Sequence, residues 1–195
     1  MPYLIIISGC NGSGKTTAAP ALLHKLLHFD DFVNADAIAH GLCALQPEKV
    51  ALQAGRIMLN TIHKLASAKA NFAFEATLAS RAFSTWIPKL KRDGYEFHLI
   101  FLWLQNVELA IHRVEERVKT GGHSIPAETI RRRYQAGLKN FFQLYRPLTN
   151  SWQFYDNSNA DKLSLIATAI NSDEVVISNQ LIWQKLEETY SEKQT

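Results

Sequence analysis

The sequence predicts an α/β fold: three layers, with a mostly parallel five-stranded sheet between helices, closed by a C-terminal hairpin and helix. Two observations predict it. Short apolar, β-branched runs recur along the 195 residues and alternate with longer stretches whose apolar residues fall at helical spacing. The first of these runs leads directly into a glycine-rich segment that opens a helix, the strand–loop–helix order of a parallel sheet.

The elements follow in order. Tyr3-Leu4-Ile5-Ile6-Ile7 reads as a buried parallel strand, apolar throughout because both its faces are covered. Gly9-Cys10-Asn11-Gly12-Ser13-Gly14-Lys15-Thr16 comes next and fits the phosphate-loop pattern G-x-x-x-x-G-K-[ST] in full. Gly9, Gly12 and Gly14 let the backbone approach a ligand, and the N–H groups through Cys10, Asn11, Ser13 and on to Thr17 form an anion nest at a helix N-terminus. Lys15 reaches the β- and γ-phosphates, and the Thr16 hydroxyl is placed for Mg²⁺. The helix from Thr16 to His28 carries Ala19, Leu22, Leu23, Leu26 and Leu27 on one side, with Pro20 removing one N–H. The fold expected is therefore that of the P-loop NTPases and kinases.

A second strand, Phe32 to Asp36, ends in a carboxylate, and a turn region with Gly41 and Pro47 follows. The stripe Val50, Ala54, Ile57, Met58, Thr61, Ile62 and Leu65 marks a helix over about 48–68. Asn71 to Glu75 is a third strand, again ending in an acid, and a helix over about 80–92 stops at Asp93-Gly94. Tyr95 to Leu104 is the longest strand, and a helix over 107–118 follows it. Thr120-Gly121-Gly122-His123-Ser124 breaks the pattern before a helix over 127–145. Trp152 to Tyr155 is the fifth strand. Its end lies on the nucleoside side of this layout, which puts Asn157 among the expected nucleotide contacts. Residues 163–170 and 174–177 flank Asn171-Ser172-Asp173 as a hairpin, and a closing helix spans 180–192. One domain, residues 1–195, accounts for all of this, with a lid segment at about 117–133.

Composition narrows the function classes. The net charge is only +3, which disfavours nucleic acid as a partner and suits an enzyme with polyphosphate substrates. No apolar run approaches the ~20 residues needed to cross a bilayer. Cys10 and Cys43 have no metal-ligand spacing, and Cys10 sits inside the phosphate loop, so a reduced, cytoplasmic setting is expected.

Phosphoryl transfer needs Mg²⁺ handling, a group for the acceptor hydroxyl and cations for the transferring phosphate. Asp36 and Glu75 end neighbouring strands at the carboxyl edge of the sheet. One division of labour makes Asp36 the general base, with Glu75 orienting the acceptor or holding Mg²⁺ through water. The reverse assignment fits the pattern too, and so does plain helix capping by either acid. Arg113, Arg117 and Lys119 precede the glycine break, and Arg131, Arg132 and Arg133 follow it. A basic helix, a hinge and a second basic helix is the composition of a lid that closes over phosphates. On helical angles Arg132 points away from the stripe Ile130-Tyr134-Leu138, whereas Arg131 and Arg133 flank it. A solvated basic face is the competing reading.

The phosphate loop, Val33-Asn34-Ala35-Asp36, Phe74-Glu75-Ala76-Thr77-Leu78, Arg117 to His123 and Ile130 to Tyr134, in this order, resemble the zeta-toxin family of P-loop kinases, and within it the short, stand-alone bacterial members. The resemblance covers about residues 3–158. It implies a kinase that uses ATP and Mg²⁺. Well-studied members phosphorylate the 3′-hydroxyl of the amino sugar in UDP-N-acetylglucosamine and are restrained by a small antitoxin. Carried over residue by residue, the loop lysine is Lys15, the base is Asp36 and the acid after the third strand is Glu75. The lid arginines are Arg117 first, then Arg133 and Arg131. Expected, then, is transfer of the γ-phosphate to a small hydroxyl acceptor. The alternatives are an ATPase switch without an acceptor, or a polynucleotide kinase. The fourth strand ends Trp103-Leu104-Gln105 without an acid, which weighs against the switch.

Overall fold

β1 (Tyr3–Ser8) runs through the middle of the sheet, with Leu4 and Ile6 packed on one face and Ile5 and Ile7 on the other. The computed structural model describes residues 1–26, 31–122, 124–170 and 174–191. His123, the hairpin turn at 171–173 and the expected helix end at His28 lie outside those residues.

On one side of β1 lies β3 (Phe72–Ala76), and on the other β4 (Glu96–Trp103), both parallel to it. β2 (Phe32–Val33) adds to β3, and β5 (Ser151–Asp156) adds to β4, also in parallel. The predicted hairpin, β6 (Ser164–Ile170) and β7 (Glu174–Ile177), joins this sheet antiparallel beside β5. The sheet therefore has seven strands rather than five, in the order β2-β3-β1-β4-β5-β6-β7. The hairpin satisfies the row of N–H and C=O groups that β5 would otherwise leave unpaired at an edge.

Helices cover both faces. α1 (Lys15–Leu26) packs Ala19, Leu22 and Leu23 on Ile5, Ile7, Ile100 and Leu102. The opposite face is covered by α3 (Ala51–Ser67), α4 (Ala82–Arg92), α5 (Val107–Lys119), α6 (Ala127–Asn140) and α7 (Gln180–Tyr190). Pro20 and Pro88 both lie inside continuous helices. α6 passes into a π-helical turn, Phe141–Tyr145, which turns Phe141 and Phe142 into a ring cluster with Trp152, Phe154 and Trp183. Among the described residues, no helix is long and apolar enough to cross a membrane.

One element departs from the sequence reading in a way that moves a functional group. β2 stops at Val33, and α2 (Ala35–Leu42) occupies the stretch expected as strand end and turn. Asn34 caps it: its side-chain oxygen accepts from the N–H groups of Asp36 at 2.7 Å and Ala37 at 3.1 Å. Asp36 thus stands in the first turn of a helix, not on the last residue of a strand.

Candidate active site

The phosphate loop closes over the carboxyl end of β1. Gly12 has φ +78°, and a Cβ there would lie 2.6 Å from the Ala110 carbonyl oxygen of α5, so only glycine fits this approach. At Gly14, φ +83°, a Cβ would collide with the side-chain amide of Asn157, which itself donates to the Ser13 carbonyl at 2.8 Å. The Lys15 ammonium donates to the carbonyls of Gly9 at 2.9 Å and Cys10 at 2.8 Å. Burial lowers its pKa, opposed by the nearby Glu75 carboxylate. Burial also pushes the Cys10 thiol up to about 11, so Cys10 serves the loop through its backbone and not as a thiolate.

A cavity of about 590 Å³ opens in front of the loop. Asn11, Gly12, Gly14, Lys15, Thr16 and Thr17 form its floor, and Asp36, Glu75 and Thr77 stand on one flank. Arg113, Arg117 and Arg133 line it from α5 and α6, and Asn157 from the segment after β5. Gly9, Cys10 and Ser13 lie behind this surface; Cys10 and Ser13 are buried.

Glu75 ends up beside the loop because β3 pairs with β1, with Ile7 opposite Glu75 and Ser8 opposite Ala76. The Thr16 hydroxyl donates to Glu75 Oε2 at 3.1 Å, and the Asn34 amide reaches the same hydroxyl at 3.4 Å. Burial raises the Glu75 pKa, opposed by Lys15, Thr16 and Asn34. Its other oxygen, Oε1, is buried without a hydrogen-bond partner. An orphaned carboxylate oxygen beside a loop hydroxyl fits a hard cation shared with phosphate oxygens. Among the described residues there is no cluster of three or more His, Cys, Asp or Glu side chains that would hold a metal unaided.

The arginines separate. Arg133 donates to Asn11 Oδ1 at 3.1 Å and is close enough to Asp36 to feel its charge. Arg117 lies one turn beyond Arg113 on the same face of α5, and the N–H of Gly122 donates to its carbonyl at 2.9 Å, which folds the glycine break onto it. Arg131 does not line the cavity: its guanidinium pairs with the Glu108 carboxylate at the surface. Arg113, which the sequence placed only in a basic run, bridges two backbone carbonyls, Asn157 at 2.8 Å and Ser158 at 2.9 Å. Asn34, read as part of a strand and of the Val33-Asn34-Ala35-Asp36 motif, was given no role of its own. Its signal was a helix cap ahead of an alanine-rich stretch.

A mostly parallel sheet with a complete phosphate loop after its first strand, facing a cavity lined by carboxylates and arginines, defines the P-loop kinase fold. The chain belongs to the zeta-toxin family, whose family model matches residues 44–163. An uncharacterized protein of Haemophilus influenzae is 28% identical over 135 residues, 67% of this chain and 91% of that relative. Among solved structures, AvrRxo1-ORF1:-ORF2 with ATP aligns at a TM-score of 0.75 and 16% identity, over 100% of this chain and 65% of that one. The PezAT chromosomal toxin–antitoxin system of Streptococcus pneumoniae aligns at 0.63 and 19% identity, over 100% of this chain and 80% of that one. At such identities the structural likeness is one of fold, and this chain spans 65% of the chain it matches in the AvrRxo1-ORF1:-ORF2 complex.

Proposed function

We propose that the protein is an ATP-dependent small-molecule kinase that transfers the γ-phosphate of Mg-ATP to an acceptor hydroxyl, acting as a single domain with a lid at about 117–133. The observation that carries this reading is the pair of carboxylates, Asp36 and Glu75, on one flank of a cavity whose floor is a phosphate loop. A nucleotide switch needs no second acid there; an acceptor does.

Asp36 takes the proton of the acceptor hydroxyl as its oxygen bonds to the γ-phosphorus and the bond to the β–γ bridging oxygen breaks, releasing ADP. Lys15 leaves the loop carbonyls for the phosphates, and Arg117 and Arg133 meet the charge on the transferring group. Thr16 and Glu75 would hold Mg²⁺, which supplies charge neutralisation at the phosphate oxygens. Asn157, seated against Gly14, borders the nucleoside side. The leading acceptor is a UDP-amino sugar such as UDP-N-acetylglucosamine, in line with the family. An antitoxin-type protein is the partner this reading implies, as in the PezAT system. The two free cysteines agree with a cytoplasmic setting.

The test is mass spectrometry of UDP-N-acetylglucosamine incubated with Mg-ATP and the protein, with Lys15→Ala and Asp36→Asn as controls. A product heavier by one phosphate, lost in both variants, is expected. ATP consumed with no phosphorylated product from any hydroxyl acceptor would overturn the kinase reading in favour of an ATPase.

A further inference from the structure

α5 ends in a turn whose two glycines are glycine for different reasons. Gly121 has φ +89°, the left-handed backbone that closes a helix, and its N–H donates to the Val118 carbonyl at 3.0 Å. A Cβ at Gly121 would meet nothing within 4 Å, so there the backbone alone asks for glycine. At Gly122 the reverse holds. It is not among the glycines with positive φ, so handedness does not demand glycine. Space does: a Cβ at Gly122 would lie 2.5 Å from Cγ and 3.1 Å from Cδ of Arg117, and 2.8 Å from the Arg117 carbonyl oxygen. The stem of Arg117 occupies the place of a side chain at position 122.

Arg117 needs such a constraint. Its backbone is held by the rest of α5: on the same face, Ala110 approaches Gly12 of the phosphate loop, and Arg113 clasps the carbonyls of Asn157 and Ser158. The side chain is another matter. Several rotatable bonds separate an arginine's Cα from its guanidinium, and the last turn of a helix leaves solvent within reach. Lys119, from the same turn, points outward and pairs with Glu116 at the surface. Arg117 instead lines the cavity together with Lys15 and Arg133. Packing Gly122 on Cγ and Cδ gives up rotamer freedom on folding and not at ligand binding.

We propose that Gly122 is a positioning residue: its missing side chain leaves the space in which the Arg117 stem lies, and so aims the guanidinium at the terminal phosphate of a bound triphosphate. This rests on the reading of the cavity as a nucleoside triphosphate site and not on the identity of the acceptor. A methyl group at position 122 cannot push the Arg117 carbonyl aside, because that oxygen accepts the N–H of Gly122 itself at 2.9 Å. The stem must swing, and the guanidinium leaves with it.

The probes are ADP and the non-hydrolysable β,γ-imido analogue of ATP, each with Mg²⁺, titrated into the full chain by calorimetry. They differ by the terminal phosphate, so the ratio of their affinities reads the contacts to that group and needs neither turnover nor acceptor. Gly122→Ala is expected to cut the preference for the triphosphate by about tenfold and to leave ADP affinity within about twofold of the parent. Arg117→Ala should do the same. Gly122→Ala added to Arg117→Ala should then change the ratio by less than about twofold, because the stem it displaces is gone. Gly121→Ala strains the same turn without touching the stem, so it should lower Tm and keep the ratio within about twofold of the parent. A parent without preference for the triphosphate, an unchanged ratio in Gly122→Ala or Arg117→Ala, an equal loss in Gly121→Ala, or the loss repeated in full in the Arg117→Ala background would each overturn the assignment. The phosphate-transfer assay stands apart. A ratio that moves as described, with no acceptor phosphorylated, would sink the kinase reading and leave the role of Gly122 standing.

Discussion

The side-chain amide of Asn140 donates to the carbonyl of Leu78 at 2.7 Å, and Leu78 is a buried residue with φ +54°. A left-handed backbone is unfavourable for leucine, and of order 1–3 kcal/mol is stored at such sites when the surroundings enforce it. The enforcement comes from α6: Asn140 holds the turn after β3, and Gly137 lets the helix backbone come so close that an added Cβ would lie 2.6 Å from the Thr77 carbonyl oxygen. The segment that carries Glu75 into Thr77 is thereby tied to α6.

Asn140→Ala should cost about 1–3 kcal/mol, because it leaves the Leu78 carbonyl buried and unpaired. For a chain of this size that corresponds to a Tm lower by roughly 2–12 °C. Thermal unfolding followed by circular dichroism measures it. A Tm unchanged within error would mean the turn holds its shape unaided.

Asp36→Asn and Glu75→Gln should fail differently. Asp36 is exposed to the cavity and touches no loop residue by a hydrogen bond, so its amide should bind Mg-ATP normally and lose turnover by about 10²-fold or more. Glu75 bonds to Thr16, so its amide should lower turnover and also shift the Mg²⁺ dependence to higher concentration. Turnover measured against Mg²⁺ separates the two. A normal Mg²⁺ dependence in Glu75→Gln with transfer lost would exchange their roles.

Glu75 also makes stability depend on pH. Its folded-state pKa is raised, chiefly by burial, so the native state binds the proton more tightly than the unfolded chain. Stability is therefore lost as pH rises from the ordinary carboxylate range through the raised value. Glu75→Gln should be more stable than the parent above the raised pKa, with the advantage fading as pH falls through that raised value and gone by the ordinary carboxylate range. Melting temperatures of the pair between about pH 4, near the ordinary glutamate value, and about pH 8 check the sign. An advantage that grew toward acid would refute it.

Arg113 and Arg131 both belong to basic helices, yet only one should matter for the nucleotide. Arg113→Ala removes the clasp on the Asn157 and Ser158 carbonyls and should raise KM for ATP by about tenfold, with kcat little changed. Arg131→Ala breaks an exposed pair with Glu108 and should leave both constants near parental values. Steady-state kinetics of the two variants decide the matter, and equal effects would return Arg131 to the site.

The fold class was legible because strand and helix periodicities alternate without ambiguity and the phosphate loop fixes which strand lies at the centre. What escaped was set by tertiary context. Periodicity over 163–177 identifies two strands, but nothing local says that they extend the main sheet instead of standing apart. The region Asn34 to Leu42 carried a cap and helix-forming residues, yet the apolar pair Phe32-Val33 drew the strand on to Asp36. Helical angles placed Arg131 and Arg133 on the two flanks of one stripe. Only the packed structure shows that the cavity lies on the Arg133 side.

β2 contributes two residues to the sheet, and its pairing with β3 consists of Phe32 opposite Ala73 and Val33 opposite Phe74. Asp36 and the walls around it are carried just beyond that short tether, on a helix packed against α3, whereas Lys15 springs from the sheet's centre. On the proposed assignment of Asp36 as base, its spacing from the phosphates is governed by a joint at the sheet's margin. Val33→Ala, which loosens that joint while leaving every cavity-lining side chain in place, should depress kcat beyond what its loss of Tm explains. If rate and Tm instead fall in proportion, the margin is mere scaffold. If they part, this enzyme's pace is adjustable from a residue that never meets its substrates.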